Sequence, residues 1–402
     1  MFKKILILVA ALCLAILPTM PAHAQGGITV LSSTTETKFP TTLTFKVSAQ
    51  SSAQITVIRL QYSVVQLGFA RVTSEAFIEF KPSTSVTTEW KWDMVRSGGL
   101  PPGTVVNYWW IIVDASGNKL KTTPAQVRFD DTRFSWQKIT EGKVDIYWYE
   151  GKESFAQDIM STSQQALERL SKDTGAFLAE PIRIYIYANA NDLRCSMIFP
   201  QEWTGGVSFT QFSCIAIGIS STNLSWGRRA IAHELTHLVT HQMTFNPYNE
   251  IPVWLEEGIA MYNEGPMQTT FSSQLKNAIS NNKLISLQTL SSPFSAYAEQ
   301  SYLSYAESYS VVDYLIRTYG KDKMFQLLDI FRQGSTYDGA LLKVYGIDTE
   351  GLNAQWQKSL TSPAKTTEER QPPLSVKVMT FALAGAIPLA LGLTIVTRRR
   401  SR

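Results

Sequence analysis

Apolar and polar residues alternate with period two through residues 42–47 and 54–62, the signature of strands that bury one face. Further short runs follow at 76–80 and 87–92, then a strongly apolar run at 105–113 and a last one at 126–129. Stretches that favour turns separate them, among them Ser97-Gly98-Gly99-Leu100-Pro101-Pro102-Gly103 and Asp114-Ala115-Ser116-Gly117-Asn118. Short strands punctuated in this way predict an antiparallel β-sandwich over residues 25–130.

From residue 131 the period changes. A strand is predicted at 144–149, an amphipathic helix at 153–172 that stops before Gly175, and a second strand at 181–187. Gly205-Gly206 introduces a β-patterned stretch at 207–219, and a helix follows at 225–243. Strands ahead of this helix and helices behind it predict an α+β domain over residues 131–360. The strand just before the helix is a candidate sheet edge beside a cleft, where an extended peptide could pair.

Within that helix lies His233-Glu234-Leu235-Thr236-His237, an H-E-x-x-H pattern. Residues four apart on a helix are about 40° apart around the axis, so both imidazoles leave one face and can share a metal ion. Ile231, Leu235, Leu238 and Val239 fall on the opposite side and would be buried. The chain has 4 histidines, at 23, 233, 237 and 241, so three of them stand in this one helix. The bland reading, two surface histidines beside a glutamate, leaves that concentration unexplained. Glu234, about 100° around from His233, is placed beside a metal rather than on it, as a general base would be.

The ends carry other signals. Lys3-Lys4, an apolar stretch at 5–17 and Ala22-His23-Ala24 predict a secretory leader over residues 1–24. Residues 378–396 carry no charge and precede Arg398-Arg399-Arg400-Ser401-Arg402. At 1.5 Å per residue that run would span about 28 Å, enough for a bilayer core, with the arginines in the cytoplasm. The expected layout is a linker at 361–377, a single transmembrane helix at 378–396 and a cytoplasmic tail at 397–402. The protein would sit in the cell membrane with its catalytic domain extracytoplasmic. Without Cys13 in the leader, Cys195 and Cys214 remain, and an exported chain with this pair predicts a disulfide. The net charge of +4 is modest and no basic run lies mid-chain, which excludes a nucleic-acid footprint.

A third metal ligand is offered by Trp254-Leu255-Glu256-Glu257-Gly258-Ile259-Ala260, where Pro252 suits a first helical turn. Glu257 stands nearly opposite the apolar face formed by Leu255, Ile259 and Tyr262. Helix phase alone leaves Glu256 open as the ligand. Here the chain resembles the gluzincin metallopeptidases, and more closely the peptidase MA-like group, in which a W-L-x-E-G-x-A helix supplies the glutamate. The similarity continues into Tyr305-Ala306-Glu307-Ser308, Tyr319-Gly320 and Trp356, and covers about residues 140–360. It implies a thermolysin-like fold, one zinc ion on His233, His237 and Glu257, and Glu234 as the general base. The front part resembles immunoglobulin-like or fibronectin-like modules in pattern only.

The chain departs from better-known relatives in having Met261 where thermolysin-like enzymes place an aspartate, and in lacking the G-x-M-E-N signature of zinc aminopeptidases. An endopeptidase acting on a protein or peptide is therefore expected. Tyr302, Tyr305 and Tyr309 share a helical face that serves core packing or catalysis; the Y-A-E-S match favours Tyr305 as the donor to the reaction's oxyanion. His241 follows the zinc-site face one turn on, as a substrate contact or a surface residue. A catalytically inactive surface binding or adhesion protein on the same scaffold is the alternative. Oligomeric state is not legible.

Overall fold

The computed structural model describes residues 27–361, apart from 69, 201–203, 223 and 296–297. The front part holds strands β1 (Thr29–Lys38), β2 (Thr42–Val64), β3 (Ser74–Phe77) and β4 (Ser83–Asp93), and a short helix α1 (Met94–Ser97). Strands β5 (Thr104–Asp114), β6 (Lys119–Lys121) and β7 (Ala125–Phe129) complete it. These strands form one antiparallel seven-stranded sheet, not the two separate sheets of the expected sandwich. The reason is β2, which runs for 23 residues and carries both sets of partners. Its first half pairs with β1 and β4, and its second half with β3 and β5. Leu43, Phe45, Val47, Ala49 and Ile55 point into the core before a register shift between Ile55 and Val57; Ile58 and Leu60 do so after it. The irregularity flips the parity, so one continuous strand keeps its apolar side on a single core.

The second part begins with the hairpin β8 (Gln137–Glu141) and β9 (Val144–Trp148), followed by helix α2 (Glu153–Thr174). Then come β10 (Ile182–Tyr187), α3 (Ala190–Arg194), β11 (Gly206–Phe209) and β12 (Cys214–Gly218). The sheet order is β11-β12-β10-β9-β8, with β9, β10 and β12 parallel and the two edge strands antiparallel. Alternation sorts its faces. Ile182, Ile184 and Ile186 pack with Ile215 and Ile217 under α2, while Tyr185 and Tyr187 face an aromatic layer with Tyr147. The β-patterned stretch at 207–219 is broken by Thr210–Phe212 and by Ser213 in the left-handed region. As a result β12 is interior and β11, not the strand next to the helix, is the edge.

Helices complete the domain: α4 (Leu224–Thr244), α5 (Val253–Asn263), α6 (Thr269–Ser280), α7 (Leu287–Leu290) and α8 (Ala298–Tyr319). After them come α9 (Lys321–Arg332), α10 (Tyr337–Tyr345) and α11 (Thr349–Thr361). Helix α4 is shared between two cores. Ile231, Leu235 and Leu238 pack against the sheet and α2, and Val239 joins Trp254, Leu255 and Ile259 of α5 with Val311, Val312 and Leu315 of α8. Gly258 permits the approach of α5 to α8, because a Cβ there would stand 2.5 Å from the Ser308 carbonyl oxygen.

The fold is thus mixed α+β with a β-rich front part, and the membrane-spanning expectation is corrected. Among the described residues no helix is long and apolar enough to cross a membrane. Helices α2 and α8, 22 residues each, carry charges along their length, Glu153, Asp158, Glu168 and Lys172 in α2 among them. The expected single-pass cell-membrane location is corrected with it. Residues 1–24 and 378–396, to which the leader and the transmembrane helix were assigned, lie outside the described residues. The expected disulfide is also corrected: Cys195 and Cys214 are free. Cys214 is buried in β12, its thiol 3.8 Å from the Pro102 carbonyl, whereas Cys195 is exposed at the end of α3. Burial pushes the Cys214 thiol up to about 12, which keeps it protonated.

Candidate metal centre

Helix α4 presents His233 and His237 on the face turned away from the sheet, their ring centroids 4.8 Å apart. Helix α5 returns beside it and carries Glu257 between them. Glu257 Oε2 lies 3.4 Å from His233 Nε2 and 3.7 Å from His237 Nε2. These are ion-pair separations, and Oε2 is buried without a hydrogen-bond partner among the described residues. One ligand atom from each of the three side chains falls within 4.8 Å of the others, so the group can hold a metal ion. Ligands about 2.05 Å from a tetrahedral ion stand about 3.3 Å apart, close to both separations from the carboxylate. The donor set of two imidazole nitrogens and one carboxylate, with its orphaned buried oxygen, therefore fits a zinc-sized cation.

Each imidazole is oriented from behind. His233 Nδ1 is 2.9 Å from Glu264 Oε1, and His237 Nδ1 is 3.2 Å from Glu256 Oε1. A hydrogen bond at Nδ1 fixes the tautomer that leaves Nε2 free to ligate. Arg229, one turn before His233, donates to Glu264 Oε2 at 3.2 Å and to the Pro266 carbonyl at 3.1 Å, which holds that carboxylate in place. Asn263 donates to Thr236 Oγ1 at 2.8 Å and locks α5 onto α4. Burial disfavours charge on both histidines, yet the carboxylates prevail. Glu257 and Glu264 hold His233 well above its usual range, and Glu257 and Glu256 raise His237. Burial would likewise raise Glu257, but His237 and His233 bring it below the usual carboxylate range. The site is built for excess positive charge.

Glu234 leaves α4 toward the sheet edge. Ser208 Oγ of β11 donates to Glu234 Oε2 at 2.6 Å and lies 2.8 Å from the Glu234 backbone carbonyl. Gly206 makes room for it, since a Cβ there would be 3.1 Å from Glu234 Oε1. Tyr305 reaches the same region from α8. Burial, then the charges of Glu257, Glu234 and Glu264, hold its phenol above the ordinary range, so it stays a neutral donor. Of the other two tyrosines of that face, Tyr302 packs against Phe271, which Tyr305 also meets, and Tyr309 packs against Tyr262. His241 lines a cleft beside His237. Sequence reasoning placed Glu256 only as a rival ligand and overlooked Glu264 and Ser208. Glu264 follows Glu257 by seven residues, two helical turns, so the shared face was a usable signal. Nothing local marks Ser208.

An α+β domain in which two adjacent helices bring together two imidazoles and a carboxylate, beside a sheet edge, defines the class. The family model described as the Peptidase MA superfamily matches residues 162–362, half of the 402 residues, and the chain belongs to this superfamily of peptidases. Among solved structures it is similar to an M1 zinc metallopeptidase from Deinococcus radiodurans, at 11% identity and TM-score 0.34 over 84% of this chain and 95% of that one. Another is Legionella pneumophila aminopeptidase A in complex with aspartic acid, at 10% identity and TM-score 0.36 over 82% of this chain and 50% of that one. A third is catalytically inactive OgpA from Akkermansia muciniphila in complex with an O-glycopeptide substrate, at 10% identity and TM-score 0.21 over 28% of this chain and 32% of that one. The matched share is thus about half of the Legionella enzyme and a third of OgpA. No curated protein matches the chain. The assignment rests on the family match.

Proposed function

We propose that the protein is a gluzincin-type zinc metallopeptidase that hydrolyses internal peptide bonds, its catalytic domain lying over residues 131–360. The observation that carries this reading is the orphaned Glu257 Oε2, facing two imidazole Nε2 atoms that are held from behind by Glu256 and Glu264. His233, His237 and Glu257 would hold the ion. Zinc bound there supplies a Lewis acid for the carbonyl and makes a water more acidic.

The chain's own residues supply the rest. Edge strand β11 pairs on one side with β12, and its other side offers main-chain groups to an extended peptide. Ser208 orients the Glu234 carboxylate beside that strand, where it takes a proton from the attacking water and delivers it to the departing amine. Tyr305, neutral and half-buried, donates to the oxygen on which negative charge develops. The absence of G-x-M-E-N removes the usual means of gripping a free amino terminus, which favours internal cleavage.

Zinc content and cleavage of an unfolded protein such as casein, measured on the purified protein and on Glu234→Gln, test the reading together. One zinc per chain with cleavage lost in the variant is expected. Metal-free protein, or equal cleavage by both, would overturn it.

A further inference from the structure

The cleft beside His237 holds more hydrogen-bond acceptors than the reaction uses. It encloses about 440 Å³ between β11, α4 and the start of α5. Glu250 and Glu256 place carboxylates on its wall, next to Thr240 and His241. Thr240 is 2% exposed and its Oγ1 has no hydrogen-bond partner among the described residues; His241 Nε2 is likewise buried and unpartnered among them. Burial, outweighing the charges of Glu256 and Glu250, lowers the His241 pKa and keeps its imidazole neutral. Glu256 binds His237 through Oε1, which leaves its second oxygen for a guest. No lysine or arginine lines the cleft among the described residues.

Buried polar atoms are rarely left unpaired. The Glu250 and Glu256 carboxylates only accept, and Thr240 Oγ1 and a neutral imidazole nitrogen can accept beside them, so this wall suits a group that only donates. Ammonium and guanidinium are such groups, and their bonds to carboxylates are charge-assisted. The cleft also opens beside β11, where an extended substrate would turn alternate side chains out of the strand's plane. We propose that it receives a lysine or arginine side chain of the substrate next to the bond that is cut, with Glu250 as its charge partner. Thr240 and His241 accept from its remaining N–H groups. This assignment rests on the peptidase reading and adds a substrate class to it.

N-acetylated peptide libraries, which offer no free terminal amine, test the assignment on the zinc-loaded protein by mass spectrometry. Bonds beside lysine or arginine should be cut about tenfold faster than those beside leucine, and Glu250→Lys should remove that ratio. Cleavage with no basic preference, or with a preference unchanged in Glu250→Lys, overturns the assignment and leaves the peptidase reading intact. A second measurement needs no turnover. Calorimetric titration of zinc-loaded Glu234→Gln should show N-acetylarginine hydroxamate binding about tenfold more tightly than N-acetylleucine hydroxamate. Equal affinities overturn the assignment. An arginine preference here, without cleavage of any peptide, keeps the cleft and sinks the peptidase reading.

Discussion

Glu256 and Glu257, neighbours in the chain, address opposite nitrogens of one imidazole: Glu256 Oε1 lies 3.2 Å from His237 Nδ1, and Glu257 Oε2 lies 3.7 Å from His237 Nε2. The first carboxylate orients the ring and the second faces the nitrogen that would meet a metal ion. Glu257→Ala should therefore lose stoichiometric zinc altogether. Glu256→Gln and Glu264→Gln should keep one zinc per chain with affinity weakened about 10–100-fold. Competition titration against a chelating dye separates the two outcomes. Full zinc in Glu257→Ala would show that the ligand set is wrong.

Glu234 touches Ser208 and the sheet edge rather than the imidazoles. Glu234→Gln should retain zinc and the wild-type melting temperature while kcat falls by about 10²–10⁴. Ser208→Ala frees the carboxylate without removing it and should cost less. Unchanged turnover in Glu234→Gln, read beside its zinc content, would remove the general base from the mechanism.

Tyr305→Phe removes only a hydroxyl. If that hydroxyl donates to the oxyanion, kcat should drop by about 10²–10³ with KM little changed, the mark of a contact made in the transition state. A rise in KM alone would assign Tyr305 to substrate packing, as its ring contact with Phe294 at 5.2 Å would also allow.

Glu307 of α8 is fully buried, and its carboxylate oxygens accept the Ile285 N–H, at 3.1 Å. Burial pushes its carboxyl up to about 8, with the Ile285 bond opposing weakly. The folded protein then holds a proton that the unfolded chain releases above the ordinary carboxyl range. Its contribution to stability is complete at acid pH, below the unfolded value of 4.5, and is lost as pH rises toward 8. The loss across that window is on the order of 4 kcal/mol. Glu307→Gln keeps an acceptor for Ile285 and carries no charge, so it should flatten the decline and raise the melting temperature at pH 8. Parallel melting curves for the two proteins between pH 5 and 8 would show that Glu307 is not the group responsible.

Gly258 fixes the spacing between α5 and α8, and a Cβ would meet the Ser308 backbone, which cannot step aside, as well as the Val312 side chain. Gly258→Ala should cost about 3 kcal/mol or more in denaturant unfolding, despite its gain in helix propensity. A neutral or stabilising effect would mean that α5 and α8 do not approach this closely.

The chain's own periodicities determined a good deal. Alternation at 42–47 and 54–62 marked β2, and the four-residue spacing of His233 and His237 placed two imidazoles on one face of α4, because both are properties of local backbone geometry. The glycine after Glu257 drew attention to the residue that the fold sets between the histidines. Contacts distant in sequence were decided by the tertiary structure alone. A single long β2 joined what pattern would divide into two sheets, because pairing partners are chosen by register across the sheet. Burial of Cys214 inside β12 separated it from Cys195, although an even cysteine count suggested a bond. Helix phase could not choose between Glu256 and Glu257. The crossing of α4 and α5 sets Glu256 against His237 Nδ1 and Glu257 against Nε2.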